Sequence, residues 1–164
     1  MKKKLTIVAV SGGFDPLHIG HVRMFKEAKK LGDKLVVILN NDNWLYAKKN
    51  LIFMSQKERK EIIEAIGCVD KVILTKHKAN PKDMSVAREL FLLKPDIFAN
   101  GGDRKPGNLR SAETDVCKKI KCKEVFNIGW GGKIQSSSWL TASDRETHAC
   151  FCGSGKKYKK CHGK

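Results

Sequence analysis

Long hydrophobic runs are missing from this 164-residue chain. No stretch approaches the ~20 apolar residues that a membrane-spanning helix needs, so no membrane span is expected. The run Leu5 to Val10 after Met1-Lys2-Lys3-Lys4 imitates a leader, but its six residues fall short of the roughly 7–15 of a signal-peptide core. It also runs directly into Gly12-Gly13-Phe14-Asp15. A buried first β-strand and a cytoplasmic location are expected instead. Acidic residues are scarce: 17 Asp and Glu stand against 33 Lys and Arg, a formal net charge of +16. That excess favours anionic partners over cationic ones, with a merely solvated basic surface as the alternative for most individual lysines. Internal repeats are absent, and so are low-complexity tracts before the lysine-rich tail, which leaves no repeat architecture to consider. Hydrophobic residues at 41% and charged residues at 30% argue against disorder for most of the chain.

What is present is an alternation. Leu5–Val10, Leu35–Leu39, Val72–Leu74, Ile97–Ala99 and Val125–Ile128 are short and apolar, as strands buried on both faces would be. Segments with helical period lie between them. Met24, Phe25, Ala28 and Leu31 mark the first, ending at Gly32. Ser55 and Glu58 form a capping box for the second, which continues through Ile62, Ile63 and Ile66. Asn80-Pro81 predicts the start of the third, with Val86, Ala87, Leu90 and Phe91 on its apolar side before Pro95. A weaker fourth surrounds Ala112, Val116 and Ile120. Strands joined by crossover helices give an α/β fold, a Rossmann-like doubly wound parallel sheet of about five strands. Ligands of such sheets bind at the carboxyl ends of the strands.

Three polar turns fall at that edge: Gly12-Gly13-Phe14-Asp15, Asn40-Asn41-Asp42 and Asn100-Gly101-Gly102-Asp103. The first opens Ser11-Gly12-Gly13-Phe14-Asp15-Pro16-Leu17-His18-Ile19-Gly20-His21. Glycines at a strand end let a bound group approach the backbone, and a helix start offers unpaired N–H donors to an anion. His18 and His21 add side-chain donors beside those amides. Strand, glycine turn, two histidines and helix together describe a site for phosphate.

His18-Ile19-Gly20-His21 resembles the H-x-G-H signature of the nucleotidyltransferase superfamily, within the longer pattern G-x-F-D-x-x-H-x-G-H. Leu31-Gly32-Asp33, Lys48-Lys49, Glu58-Arg59, Val69-Asp70-Lys71, Lys94-Pro95-Asp96, Gly101-Gly102-Asp103 and Ser136-Ser137-Ser138 continue the likeness in order. The series over roughly residues 4–145 resembles the small cytidylyltransferase-like enzymes, including glycerol-3-phosphate cytidylyltransferase and the adenylyltransferase domain that activates heptose 1-phosphate. The resemblance implies transfer of CMP or AMP from CTP or ATP to a phosphorylated acceptor, with release of pyrophosphate. Such chemistry asks the protein for positioning and charge stabilisation rather than covalent work.

On that resemblance the amides of Gly13 and Phe14, with His18 and His21, would cradle the triphosphate, and Lys48 would approach the α-phosphate. Ser136, Ser137 and Ser138 would hold the β- and γ-phosphates at a helix N-terminus, with Mg²⁺ carried mainly by substrate and water. Asp103 would meet ribose, base or acceptor hydroxyls, and Arg104 or Lys105 a phosphate; the alternative there is a glycine turn with solvated charges. Asp15 is a turn and capping residue or a metal ligand. Arg59 binds phosphate or pairs with Glu58 or Glu61. Trp44 and Tyr46 line an acceptor pocket or simply pack. One departure stands out. Family members often carry an arginine shortly before the serine motif, whereas Gly129-Trp130-Gly131-Gly132-Lys133 has only Lys133, a point charge without the guanidinium fork.

Six cysteines occur, at 68, 117, 122, 150, 152 and 161, and structural disulfides are not expected in a cytosolic chain. Cys68 reads as core, and Cys117 and Cys122 as buried or idle thiols. Cys150, Cys152, Cys161 and His162 are spaced C-x-C-x₈-C-H, three thiolates and an imidazole, a closed tetrahedral set for structural Zn²⁺. The run Cys152-Gly153-Ser154-Gly155-Lys156-Lys157-Tyr158-Lys159-Lys160-Cys161 closely resembles the SEC-C motif. A nucleotidyltransferase domain over 1–145 and a zinc knuckle over 148–164 are therefore expected. Five lysines in 156–164 would let the knuckle dock an acidic protein surface or nucleic acid, or it would serve only as a stabilising cap.

Sugar or polyol phosphates are the expected acceptors, since Lys94-Pro95-Asp96 and Gly101-Gly102-Asp103 resemble the heptose-type enzymes. Adenylation of a cofactor precursor, as in coenzyme A or NAD synthesis, is a further reading within the same class, but the Gly101-Gly102-Asp103 region and the chain layout fit those relatives less well. The competing class is a catalytically weakened fold that binds RNA or protein through the basic zinc tail. Homodimers are common among the proteins this chain resembles, but its oligomeric state is not legible in the residues.

Overall fold

The computed structural model describes residues 4–102, 104, 105, 107, 110–129 and 137. The apolar runs form five strands: β1 (Ile7–Gly12), β2 (Lys34–Leu39), β3 (Lys71–Leu74), β4 (Ile97–Gly101) and β5 (Lys123–Ile128). Every neighbouring pair is parallel, in the order β3-β2-β1-β4-β5. Among the described residues five helices accompany them: α1 (Ile19–Lys29), α2 (Asp42–Lys49), α3 (Gln56–Glu64), α4 (Ala87–Leu93) and α5 (Ser111–Ile120). The chain winds outward from β1 to β3, crosses back to β4 beside β1, and continues to β5. This is the doubly wound arrangement expected, with the reversal of strand order between β1 and β4.

Helices cover both faces of the sheet. On one, Phe25 and Ala28 of α1 and Ile63 of α3 pack against Val8, Val10, Leu35, Val37 and Leu39. On the other, Leu90 of α4 and Cys117 of α5 meet Ala9, Ile38 and Phe98. Each large apolar side chain fully buried here contributes about 1.5–3 kcal/mol. No helix among the described residues is long and apolar enough to cross a membrane. Asp70 fastens the start of β2, accepting from Leu35 N at 2.8 Å, Lys29 Nζ at 2.6 Å and Lys34 Nζ at 2.9 Å.

The structure corrects several expectations. The third helix begins at Ala87 after a Val86 cap, so Pro81 lies in the preceding loop rather than at a helix start. Ile62 and Phe91 share the helical period but are exposed, at 41% and 42%, because each of their helices turns only a narrow stripe to the sheet. β3 and β5 are edge strands, and β5 is only half-buried. Helix α2 follows β2 where only a polar turn was expected. Its signals are Asn41, which caps Trp44 N at 3.1 Å, Asp42 in the first turn, and Lys48 and Lys49 in the last. Eight residues are too few for a periodic pattern to declare itself. Cys117 and Cys122 are buried thiols, as expected, and Cys68 is partly buried against the core. The expected knuckle, with Cys150, Cys152, Cys161 and His162, lies outside the described residues.

Candidate functional site

β1 runs from the core into Gly12 and Gly13, and close packing requires glycine at both. A Cβ on Gly12 would stand 2.7 Å from the Phe14 ring, and one on Gly13 would stand 2.7 Å from Leu45 Cδ2. Phe14 then adopts a left-handed backbone, φ 51°, and tucks its ring into the core. The ring meets His21 edge-on at 4.9 Å and Phe25 at 5.1 Å. Asp15 is buried and precedes a cis peptide bond to Pro16. Its carboxylate accepts from Phe53 N at 2.9 Å and Met54 N at 2.7 Å. Both oxygens are thus engaged by backbone, which selects the turn-and-cap reading of Asp15 over the metal-ligand one.

His18 is the N-cap of α1, with extended backbone. Its Nδ1 accepts from Gly20 N at 3.2 Å, and His21 Nδ1 accepts from His18 N at 3.3 Å. The two rings stack with centroids 3.7 Å apart. An Nδ1 that accepts from an amide cannot carry the proton, so each ring is the Nε2–H tautomer. Burial, then the neighbouring His18, then Lys49 push His21 down to about 3, and burial followed by Lys49 lowers His18 as well. Both imidazoles are neutral near pH 7. Each offers one Nε2–H donor to an anion.

Lys49 Nζ donates to the Asp15 carbonyl at 2.7 Å, which sets an ammonium against the histidine loop. Lys48, the expected cation, is exposed and lies over the Trp44 ring, 4.6 Å from its centroid. Trp44 is itself buried, with Nε1 donating to Met84 O at 2.8 Å, while Tyr46 is 56% exposed. Ser137 Oγ donates to Pro16 O at 3.0 Å, so this one serine of the late run reaches the histidine loop. Ser136, Ser138, Lys133 and Asp103 lie outside the described residues. On β4, Gly101 packs against Met24 and Gly102 has φ 70°. Arg104 Nη1 donates to Asn100 Oδ1 at 3.1 Å and sits 3.8 Å from the buried Glu113 carboxylate.

Two buried polar groups were not anticipated in these roles. Arg59 takes neither of its expected roles: it is fully buried, away from solvent phosphate, and its carboxylate partner is Asp42 rather than Glu58 or Glu61. Asn40 Oδ1, at the carboxyl end of β2, is buried without a hydrogen-bond partner among the described residues. The signal for Asn40 was its place in a polar turn after a strand. For Arg59 no local signal existed, because a charge inside a helix named Gln-Lys-Glu-Arg-Lys-Glu reads as solvated face. No group of three or more His, Cys, Asp and Glu side chains suited to a metal occurs among the described residues. The edge therefore joins backbone donors, two neutral imidazoles, an ammonium and a hydroxyl around one loop. Such a set can hold a polyphosphate and stabilise charge growing on its oxygens.

Comparison with known proteins bears on this arrangement. A family model described as cytidylyltransferase-like matches residues 9–130, and the SEC-C motif matches residues 149–164. A FAD synthase from Thermococcus sibiricus is 35% identical over 135 residues, covering 81% of this chain and 87% of that protein. A FAD synthase from Ferroglobus placidus is 37% identical over 146 residues, covering 84% and 91%. The bifunctional protein HldE from Syntrophotalea carbinolica is 38% identical over 104 residues, 62% of this chain but only 20% of that longer protein. Among solved structures, the lipopolysaccharide core biosynthesis protein from Thermoplasma volcanium superposes with a TM-score of 0.63 at 28% identity. That match covers 78% of this chain and all of the other. A pantoate-beta-alanine ligase from Francisella tularensis, at 16% identity and a TM-score of 0.55, shares the fold.

Proposed function

The chain belongs to the cytidylyltransferase-like family and is a nucleotidyltransferase, and from that premise we propose that it transfers AMP from ATP to the phosphate of flavin mononucleotide, forming FAD. FAD synthases that match this chain over more than four-fifths of both proteins support the acceptor. The observation that carries the reading is the stacked, neutral His18–His21 pair beside the glycine turn.

In this reading an acceptor phosphate oxygen attacks the α-phosphorus in line. The new P–O bond forms as the bond to the bridging oxygen breaks, and pyrophosphate leaves with the electron pair. His18 and His21 donate Nε2–H to the phosphoryl oxygens as their charge rises, and neutral donors do so without losing a proton of their own. Lys49 joins Lys48 as a cation near the α-phosphate, and Ser136 to Ser138 receive the departing β- and γ-phosphates. Mg²⁺ held by the triphosphate and water would neutralise charge on the phosphate oxygens, with no protein cage of its own. Asp15 stays a brace, its oxygens committed to Phe53 and Met54.

Sugar or polyol phosphates remain the second reading, supported by the likeness to HldE and to the Thermoplasma protein. Incubating the protein with ATP or CTP and either flavin mononucleotide or sugar phosphates, and identifying the product by mass, separates the two. FAD and pyrophosphate from ATP are expected. Absence of any turnover that depends on His18 and His21 would refute the enzymatic reading and favour a binding module.

For the tail, Cys150, Cys152, Cys161 and His162 would hold one Zn²⁺, whose binding would supply the folding energy that a 17-residue segment lacks. The basic knuckle would then dock an acidic protein surface or nucleic acid. Metal analysis of the full chain tests the first step: about one zinc per chain is expected, lost on Cys150→Ser with Cys152→Ser.

A further inference from the structure

Arg59 is the largest fully buried side chain among the described residues, and its guanidinium reaches the Gly13 carbonyl of the glycine turn. Nη1 donates to Gly13 O at 2.6 Å and Asn40 O at 2.8 Å. Nε donates to Met54 O at 3.0 Å, and Nη2 to Asp42 Oδ1 at 2.6 Å. The group thereby links the end of β1, the end of β2, the first turn of α2 and the entry to α3. A buried guanidinium costs several kcal/mol in lost hydration, and here one carboxylate and three carbonyls offset it. With no exposed atom, Arg59 cannot itself be a phosphate ligand.

Its effect on the turn is nevertheless specific. The Gly13–Phe14 peptide is planar, so its carbonyl and the Phe14 N–H point in opposite directions. Holding the carbonyl on the buried guanidinium turns the Phe14 N–H outward. That N–H has no acceptor among the described residues, and neither has the Gly13 N–H. Free amides at the end of β1, beside the histidine pair, are what an anion would occupy.

We infer that Arg59, locked by Asp42, is a positioning residue that aims the Phe14 amide at the triphosphate and so sets nucleotide affinity without touching the nucleotide. The inference rests on the nucleotidyl-transfer reading but needs no particular acceptor. A lysine at 59 keeps the charge but not the fork, and cannot hold Gly13 O, Asn40 O and Asp42 together.

The test is calorimetric binding of ATP and CTP to the full chain, followed by steady-state kinetics for each substrate. Arg59→Lys is expected to weaken nucleotide binding about tenfold or more. The KM for nucleotide should rise with it while the KM for the acceptor stays within about twofold. Ile63→Val, on the same helix but outside the turn, provides a destabilised control and should leave both KM values unchanged. If Arg59→Lys does not fold, Asp42→Asn keeps an amide oxygen as acceptor for Nη2 but removes the carboxylate, which loosens the guanidinium and should shift nucleotide KM in the same direction. Unchanged nucleotide affinity, or equal loss for both substrates, overturns the inference while leaving the nucleotidyl-transfer reading intact. A wild-type protein that binds neither nucleotide refutes both.

Discussion

Asp15 and Arg59 grip the same residue from opposite ends of its backbone. The Asp15 carboxylate takes the Met54 N–H at 2.7 Å, and Arg59 Nε donates to the Met54 carbonyl at 3.0 Å. The Asp15 side therefore carries a stability consequence. Asp15→Asn leaves one of the Phe53 and Met54 amides facing an NH₂ donor instead of an acceptor. Chemical denaturation should show a loss of about 1–3 kcal/mol. An unchanged midpoint would mean that the brace is dispensable.

The tautomers of the histidine pair set a pH dependence. His21 is pushed from 6.5 down to about 3 when folded, so between those values the unfolded chain binds a proton that the folded chain refuses. Stability from this group is complete above pH 6.5 and is lost as the pH falls toward 3. Comparing denaturation midpoints of wild type and His21→Gln at pH 7.5 and at about pH 5 isolates the contribution. The wild type should lose more stability on acidification. The kcat/KM profile should likewise show no histidine limb near the ordinary imidazole pKa.

Capping and donation by His18 are separable. Asparagine is among the preferred N-caps, so His18→Asn should keep helix α1 and nearly all of the stability. It removes the Nε2–H, however, and turnover should fall by about 10²-fold or more. A parallel loss of stability and activity would instead make His18 purely structural.

The two lysines of α2 differ in reach. Lys49 bonds the Asp15 carbonyl and depresses both histidines, whereas Lys48 covers Trp44. Lys49→Met should lower turnover more than Lys48→Met. It should also raise the histidine pKa values, which nuclear magnetic resonance titration would read directly. An effect of Lys48→Met alone would reverse the assignment.

Gly101 marks where β4 meets its neighbours. An added Cβ would stand 2.8 Å from the Ile128 carbonyl, a backbone atom that cannot swing aside. Gly101→Ala should destabilise the fold by about 1–3 kcal/mol, measured by thermal unfolding. Gly67→Ala, where a Cβ meets nothing within 4 Å, is the matched control.

The sheet and the loop at its edge were legible because both rest on local pattern. Runs such as Leu35–Leu39 have no polar position to hide, and Gly12-Gly13 followed by two histidines names an anion site before any contact is known. Helix α2 was not legible, being eight residues long with a cap and a charged end but too short for an apolar period to repeat. The partners of Arg59 lie 5 to 46 positions away along the chain, and only folding brings Gly13, Asn40, Asp42 and Met54 round one guanidinium. The choice between Lys48 and Lys49 depended on the phase of that unseen helix. One residue of phase decides which ammonium faces the histidines.

The bond from Ser137 to Pro16 spans 121 positions of sequence. A ribosome releases the histidine loop early and the serine only after all five strands have been made. Such a contact carries a long loop-closure cost and forms after the local ones. The histidine loop can therefore fold as part of a β1–α1–β2 unit well before its Ser137 contact is made. A chain cut short after β5 would lack Ser137 and with it the bond to Pro16.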